Sequence, residues 1–330
     1  MPEREAVIAA FLADHGWGGA ERRAISGDAS FRRYERLAEG QRRAILMDAP
    51  PETEDVRPFL RIAGHLLGLG YSAPGISAAD EAAGLLILED LGEGIYTRLL
   101  GREDKVSEAE LYDAAVDLLV DLHRQPVPSE APPYDRARLV AEANLLVDWY
   151  IPRQRGEPPD PDLRASYEAA WDRLLPGLGK SPEALVLRDY HADNLLWLPK
   201  RRGLARVGLL DFQDAVVGSI AYDLVSLLED ARRDLRPETV TRSLARYLAA
   251  RPEIEAEGFA TAYALLGAQR NAKIIGIFTR LCVRDQKPDY LDYLPRVWRH
   301  LEHDLAHPAL APIKEWIDRE IPPERRERAP

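Results

Sequence analysis

Three short apolar runs constrain this chain more than any other feature. They are residues 184–187, 195–198 and 207–210. Each is four residues long, too short for a helix, and polar or turn residues close it off. Such runs read as buried strands. Lys200-Arg201-Arg202-Gly203 turns between the last two and makes them a hairpin. Helical periodicity surrounds this β island on both sides. Polar residues collect at its ends: Arg188-Asp189-Tyr190-His191-Ala192-Asp193-Asn194 before the hairpin, and Asp211-Phe212-Gln213-Asp214 after it. The pattern predicts Asp189, Asn194 and Asp211 at strand ends facing one mouth.

Two carboxylates and a carboxamide are hard oxygen donors. They suit Mg²⁺, which takes one or two carboxylates and completes its shell with water and substrate phosphates. Asn194 stands five positions after Asp189, and Asp211 a further 17. That is the layout of a kinase catalytic loop, D-x-x-x-x-N, then a hairpin, then a metal-binding aspartate. One Asp orients the acceptor hydroxyl and takes its proton. The Asn and the second Asp hold the metal. A D-x-x-x-x-N string alone is common, and the flanking strands and Asp211 give it weight.

The first 90 residues read as a small mixed α/β unit. Residues 6–12 form one face of a short helix. Residues 31–37 and 44–47 read as strands around the turn Glu39-Gly40-Gln41, and residues 56–69 as a helix stopping at Gly70. Residues 85–88 are a buried strand. Small residues in Ser26-Gly27-Asp28-Ala29-Ser30-Phe31 let backbone N–H groups approach phosphates. Glu89-Asp90-Leu91-Gly92 connects this unit to the rest, and its backbone suits an adenine edge. Beyond Gly94, residues 107–123, 137–150, 163–175 and everything from Ala221 onward read as helices. The expectation is an α+β chain of two lobes. A nucleotide-binding lobe covers residues 1–90, and a larger, mainly helical catalytic and substrate-binding lobe covers 91–330.

Composition excludes several classes. The net charge of −11 repels phosphate backbones, so nucleic acid is not the expected partner. No apolar run approaches the roughly 20 residues that span a bilayer, so no membrane partner is expected either. A single cysteine, Cys282, makes no internal disulfide and suits a reducing, cytoplasmic setting. Met1-Pro2-Glu3-Arg4-Glu5 does not open a signal peptide. Gly177-Leu178-Gly179-Lys180-Ser181 lacks the first glycine of a phosphate loop and reads as a surface turn. Gly68-Leu69-Gly70-Tyr71-Ser72-Ala73 follows a helix, and so reads as a helix end rather than a dinucleotide fingerprint. His300, His303 and His307 share a helical spacing, but a helix C-terminus favours histidine without any metal.

With Asp189…Asn194, Asp211, Leu88-Glu89-Asp90-Leu91-Gly92 and Ala221-Tyr222-Asp223-Leu224 in place, the chain resembles the aminoglycoside phosphotransferase family of small-molecule kinases. The resemblance runs from Gly27 to about His303. It implies a two-lobed protein-kinase-like fold, with ATP and Mg²⁺ as cofactors. By it, Asp189 is the catalytic base, Asn194 and Asp211 are metal ligands, Glu89, Asp90 and Leu91 contact adenine, and Asp223 braces the catalytic loop. Ser30 and Arg33 fall on the nucleotide side.

A narrower resemblance is to the anomeric kinases of cell-wall sugar recycling, which phosphorylate N-acetylmuramate and N-acetylglucosamine at C1. It rests on Gly27-Asp28-Ala29-Ser30-Phe31-Arg32-Arg33-Tyr34, Leu46-Met47-Asp48-Ala49-Pro50, Gln269-Arg270-Asn271-Ala272-Lys273 and Arg284-Asp285-Gln286-Lys287-Pro288. It implies a small amino sugar as substrate, a role in peptidoglycan recycling, and a monomer. A lactyl carboxylate needs a cation, and Arg270, Lys273 and Arg280 share one helix of the large lobe. Trp149, Tyr150 and Tyr190 are candidates for stacking on the sugar. Arg188 and Asp214, beside the catalytic residues in sequence, complete the substrate set.

The chain departs from the family pattern at several points: no Gly follows Asp211-Phe212, no A-P-E activation segment is found, and two further positions differ. Leu187-Arg188 stands where the family has His-Gly before the catalytic Asp. Met47 stands where a strand Lys or Arg binds phosphate, so another cation must serve, with Arg33 and Arg36 the nearest in sequence. The rival readings are another aminoglycoside-type phosphotransferase and a nucleotide-binding pseudokinase.

Overall fold

The computed structural model describes residues 2–25, 31–100 and 106–326. They form two units: residues 1–107 with 192–214, and residues 108–191 with 215–330. The sequence reading drew its boundary at residue 90. Among the described residues, 91–100, 106–107 and the hairpin group with the N-terminal unit.

The first unit opens with α1 (Pro2–Asp14). Its sheet holds β1 (Glu21–Ile25), β2 (Arg33–Glu39) and β3 (Arg42–Asp48), then, after α2 (Arg57–Gly68), β4 (Ile76–Asp80) and β5 (Leu85–Leu88). The order is β1-β2-β3-β5-β4, antiparallel throughout. Alternation sends Leu37, Ala44, Leu46, Leu85 and Ile87 to one face, where they pack with Ile8, Phe11, Leu12 and Trp17. The edge strands β1 and β4 escaped the sequence reading. Edge strands carry little apolar side-chain surface, and ERRAI and ISAAD fit that rule. Gly70, at φ +86, closes α2, and its amide donates to the Leu67 carbonyl at 3.0 Å. That is the helix end read from the sequence.

After α3 (Tyr96–Leu99) come four short strands: β6 (Glu183–Val186), β7 (Leu195–Trp197), β8 (Val207–Leu209) and β9 (Val216–Ser219). The three apolar runs are not one island. β7 pairs with β8 in the first unit, while β6 pairs with β9 in the second. Two backbone bonds tie the hairpin into the first unit. The Leu209 amide donates to Ser72 O at 2.9 Å and the Trp197 amide to Gly94 O at 2.7 Å.

The second unit is built from helices: α4 (Glu108–Leu122), α5 (Arg136–Ala143), α6 (Ile151–Arg155), α7 (Pro161–Leu174), α8 (Ala221–Leu228), α9 (Pro237–Ala250), α10 (Ala256–Asp285), α11 (Leu294–Leu305) and α12 (Ala311–Glu320). The helix read over 137–150 is α5 followed by a π-helical turn, Leu146–Tyr150. α10 packs close to its start: a Cβ on Gly276 would lie 2.2 Å from the Leu145 carbonyl carbon. Leu146, Tyr150, Tyr167, Trp171, Ile275 and Val297 belong to the core here. His307 falls beyond α11, where its Nδ1 accepts from the Ala309 amide. Among the described residues no cluster of three potential metal ligands of the His, Cys, Asp and Glu type is found. None of their helices is long and apolar enough to cross a membrane.

Candidate active site

In the first unit, Asn194 and Asp211 flank one end of the β7–β8 hairpin. The Leu210 amide donates to the Asn194 carbonyl at 3.0 Å, which holds the two flanks together. Asp211 is exposed and takes φ +56. Behind it, Phe212 is fully buried and stacks on Phe59 of α2, ring centroids 5.0 Å apart. This anchor aims the carboxylate outward. Gln213 Nε2 donates to Asp211 Oδ1 at 2.9 Å and to Asp214 Oδ2 at 3.2 Å, so Asp214 stands beside Asp211.

Arg32, which the sequence reading had not selected, reaches the same carboxylate. Its Nη1 lies 3.8 Å from Asp211 Oδ1 and its Nε 3.1 Å from Glu54 Oε2. The expected cations lie elsewhere. Arg33 is 62% exposed and faces Asp48 at 3.3 Å. Arg36 is held by Asp90 at 2.7 Å and by Glu93. Met47 is fully buried. Ser30 lies outside the described residues, as does most of its small-residue loop.

The connector 89–92 is fixed by its own polar groups. The Glu89 amide donates to Gly75 O at 2.7 Å, and its carboxylate pairs with Arg201. Asp90 Oδ1 accepts the Gly92 amide at 2.9 Å. Leu91 is half-buried. The Glu89 N–H is therefore already spent.

In the second unit, Asp189 follows β6 in a tight turn, its amide donating to Leu187 O at 2.9 Å. Asp223 of α8 is completely buried and braces that turn. Its Oδ2 accepts the Leu187 amide at 2.7 Å and its Oδ1 the Arg188 amide at 2.8 Å. Arg188 adopts φ +71. Its guanidinium pairs with Glu142 and lies over the Tyr134 ring, 5.5 Å from the centroid. Lys273 Nζ reaches the other Glu142 oxygen at 3.0 Å.

Burial alone would raise the Asp189 carboxyl. The positive charges of Lys273 foremost, then His191, Arg188 and Arg270, outweigh it and hold the group below its ordinary value. Glu142 shows the same balance: burial opposes ionisation, and Lys273 and Arg188 override it. Asp189 is thus an ionised acceptor under ordinary conditions.

The donor set fits the cofactors. Asn194 and Asp211 supply hard oxygens of the kind Mg²⁺ selects. The Arg32 guanidinium beside Asp211 carries the charge opposite to that of a phosphate.

The family described as "Phosphotransferase enzyme family" matches residues 21–257. The chain belongs to this phosphotransferase family. It is 43% identical to an N-acetylmuramate/N-acetylglucosamine kinase of Caulobacter vibrioides, over 98% of each chain. It is 39% identical to a kinase of the same description from Pseudomonas aeruginosa, over 93% of this chain and 91% of that one. Among solved structures, the ADP-bound aminoglycoside phosphotransferase APH(2'')-Ib superposes with a TM-score of 0.59 at 18% identity, over 89% of this chain and 97% of that one. The fold is the two-lobed protein-kinase-like fold of this phosphotransferase family, an antiparallel-sheet lobe and a mainly helical one.

Three substrate candidates of this phosphotransferase need correction. Tyr150 is 0% exposed, and its hydroxyl donates to the Arg325 carbonyl at 2.8 Å. It is a core residue and offers no face to a sugar. Tyr190 is likewise buried and donates to Ala115 O at 2.9 Å. Arg270 is buried with Nη1 on the Glu229 carbonyl at 3.2 Å, so it serves the interior. Arg280 is half-buried on α10, its pKa lowered by burial and by Arg284. Arg32, Glu54 and Glu142 were missed. A single Arg or Glu carries no periodicity or motif; the fold brings Arg32, with Glu54, to Asp211 in the first unit, and Glu142 to Arg188 and Lys273 in the second.

Proposed function

We propose that this protein is an ATP-dependent kinase for the anomeric C1 hydroxyl of N-acetylmuramate, N-acetylglucosamine or both, acting in peptidoglycan recycling in the cytoplasm. The 43% identity to the Caulobacter kinase over 98% of each chain carries the proposal, and Asp189, Asn194 and Asp211 stand at the spacing such a reaction needs.

Asp189 accepts a hydrogen bond from the sugar hydroxyl and takes its proton as the sugar oxygen bonds the γ-phosphorus and the bond from that phosphorus to the bridging oxygen breaks, releasing ADP. A carboxylate held below its ordinary pKa is a weak base. That suffices, because phosphoryl transfer goes through a loose transition state and an anomeric hydroxyl is more acidic than an ordinary alcohol. Asp223 holds Asp189 in place through the Leu187 and Arg188 amides. Asn194 and Asp211 would hold Mg²⁺, which when bound neutralises the developing phosphate charge. The Glu89–Leu91 backbone receives adenine. Lys273 carries the charge to meet the lactyl carboxylate.

A turnover assay tests this. The protein is incubated with ATP, Mg²⁺ and, in turn, N-acetylmuramate, N-acetylglucosamine, glucosamine and an aminoglycoside, with phosphorus NMR locating the new ester. A C1 phosphate on an N-acetyl sugar, absent with Asp189→Asn, is expected. Transfer only to the aminoglycoside would overturn the sugar assignment. Nucleotide binding with no transfer to any acceptor would count against catalysis.

A further inference from the structure

Met47 poses a charge problem. It stands on β3 where a phosphate-binding Lys is expected, and it is fully buried. A thioether neutralises nothing. In protein kinases that Lys is held by a Glu, and the ion pair positions the nucleotide phosphates. The first unit contains such a pair in another place. Arg32, just before β2, bonds Glu54, just before α2, at 3.1 Å, and its Nη1 stands 3.8 Å from Asp211 Oδ1. The Arg32 side chain is only 13% exposed, so burial strengthens the pairing. Arg33 and Arg36 are engaged by Asp48 and by Asp90 with Glu93.

We propose that Arg32 is the residue that binds the terminal phosphates of ATP in this protein, with Glu54 as its positioning partner. This rests on the kinase reading above. Asp211 is the carboxylate that would hold the metal, and the metal would supply charge to the terminal phosphates. A guanidinium 3.8 Å from Asp211 would then stand within reach of those phosphates. Its planar fork also suits a phosphate better than an ammonium does. The pair Arg32–Glu54 thus takes over from the strand Lys and its Glu, with the cation supplied by the residue just before β2.

The test is calorimetric titration with a non-hydrolysable ATP analogue and, separately, AMP, on wild type, Arg32→Met, Arg32→Lys and Glu54→Gln. Arg32→Met should weaken the ATP analogue about tenfold or more, the worth of one or two charge-assisted hydrogen bonds. AMP, lacking the terminal phosphates, should bind within about twofold of wild type. Arg32→Lys should recover part of the loss. In turnover, KM for ATP should rise while KM for the acceptor stays put. Thermal melts identify any variant that does not fold, and Glu54→Gln, which keeps the side-chain shape, then decides by the same criterion. Unchanged affinity for the ATP analogue, or an equal loss for AMP, overturns the proposal. Nucleotide binding needs no acceptor, so the result stands whichever sugar is turned over. Conversely, failure at Arg32 leaves the sugar assignment intact.

Discussion

Asp223 accepts the backbone N–H of Arg188 at 2.8 Å, and Arg188 sits at φ +71, a conformation that L side chains avoid. The buried carboxylate and the strained backbone belong together. Asp223 takes two consecutive amides, Leu187 and Arg188, and so holds the turn that presents Asp189.

Replacing Asp223 by Ala should leave both amides buried and unpaired, at about 1–3 kcal/mol each. The expected loss is about 2–6 kcal/mol of stability by denaturant melt. In the folded fraction kcat should fall on the order of 100-fold, because Asp189 is no longer fixed. Asp223→Asn keeps the volume and one acceptor, so it should lose less on both counts. An alanine variant with wild-type kcat would show that the turn needs no brace.

The same backbone angle predicts an inverted order at Arg188. Glycine adopts positive φ freely and alanine does not. Arg188→Gly should therefore be more stable than Arg188→Ala by about 1 kcal/mol, read as the difference between two urea midpoints. In both variants Glu142 keeps Lys273. Equal midpoints would mean that the turn relaxes out of the left-handed region.

This position also shows how far the sequence was legible. The family pattern has Gly before the catalytic Asp, and this chain has Arg188. The left-handed angle explains the glycine, but its tolerance of Arg depends on Glu142, Tyr134 and Asp223, none of which is near in sequence. The kinase plan itself could be read because it is local: Asp189, Asn194 and Asp211 stand at fixed offsets around short strands. The pairing of those strands could not. β9 reads VVGS, too short and too small to signal a strand, yet it is the partner of β6. The Arg32–Glu54–Asp211 cluster joins three distant segments and has no local trace at all.

The charge around Asp189 gives a pH prediction. A catalytic base must be ionised, so a carboxyl held below its ordinary value keeps kcat high into mildly acidic solution. Lys273 is the largest of the charges lowering it. Lys273→Met should let burial win, and the acid limb of the kcat profile should move to higher pH. A profile unmoved by Lys273→Met would exclude Asp189 as the titrating base. A kcat that falls equally at every pH would give Lys273 a transition-state role apart from the Asp189 charge, and a raised acceptor KM at unchanged kcat would give it a part in substrate binding alone.

A second buried acid should set the alkaline limit of the fold. Asn271 Nδ2 donates to Glu229 Oε2 at 2.7 Å and to Asp304 Oδ2 at 3.0 Å, which brings two carboxyls together in the interior. Burial first, and the Glu229 charge second, push the Asp304 carboxyl well above its ordinary value. The folded chain therefore keeps a proton that the unfolded chain releases. Stability from this group is whole below the ordinary carboxylate range and declines as pH rises toward the raised folded value. Asp304→Asn imitates the protonated acid and removes the titration. Its melting temperature should change less with pH than that of wild type, and the variant should gain on wild type as pH rises through neutrality. The measurement is a pair of melting curves from pH 5 to pH 9. Parallel curves would mean that Asp304 gains no proton on folding, and that Asn271 alone reconciles the two carboxylates.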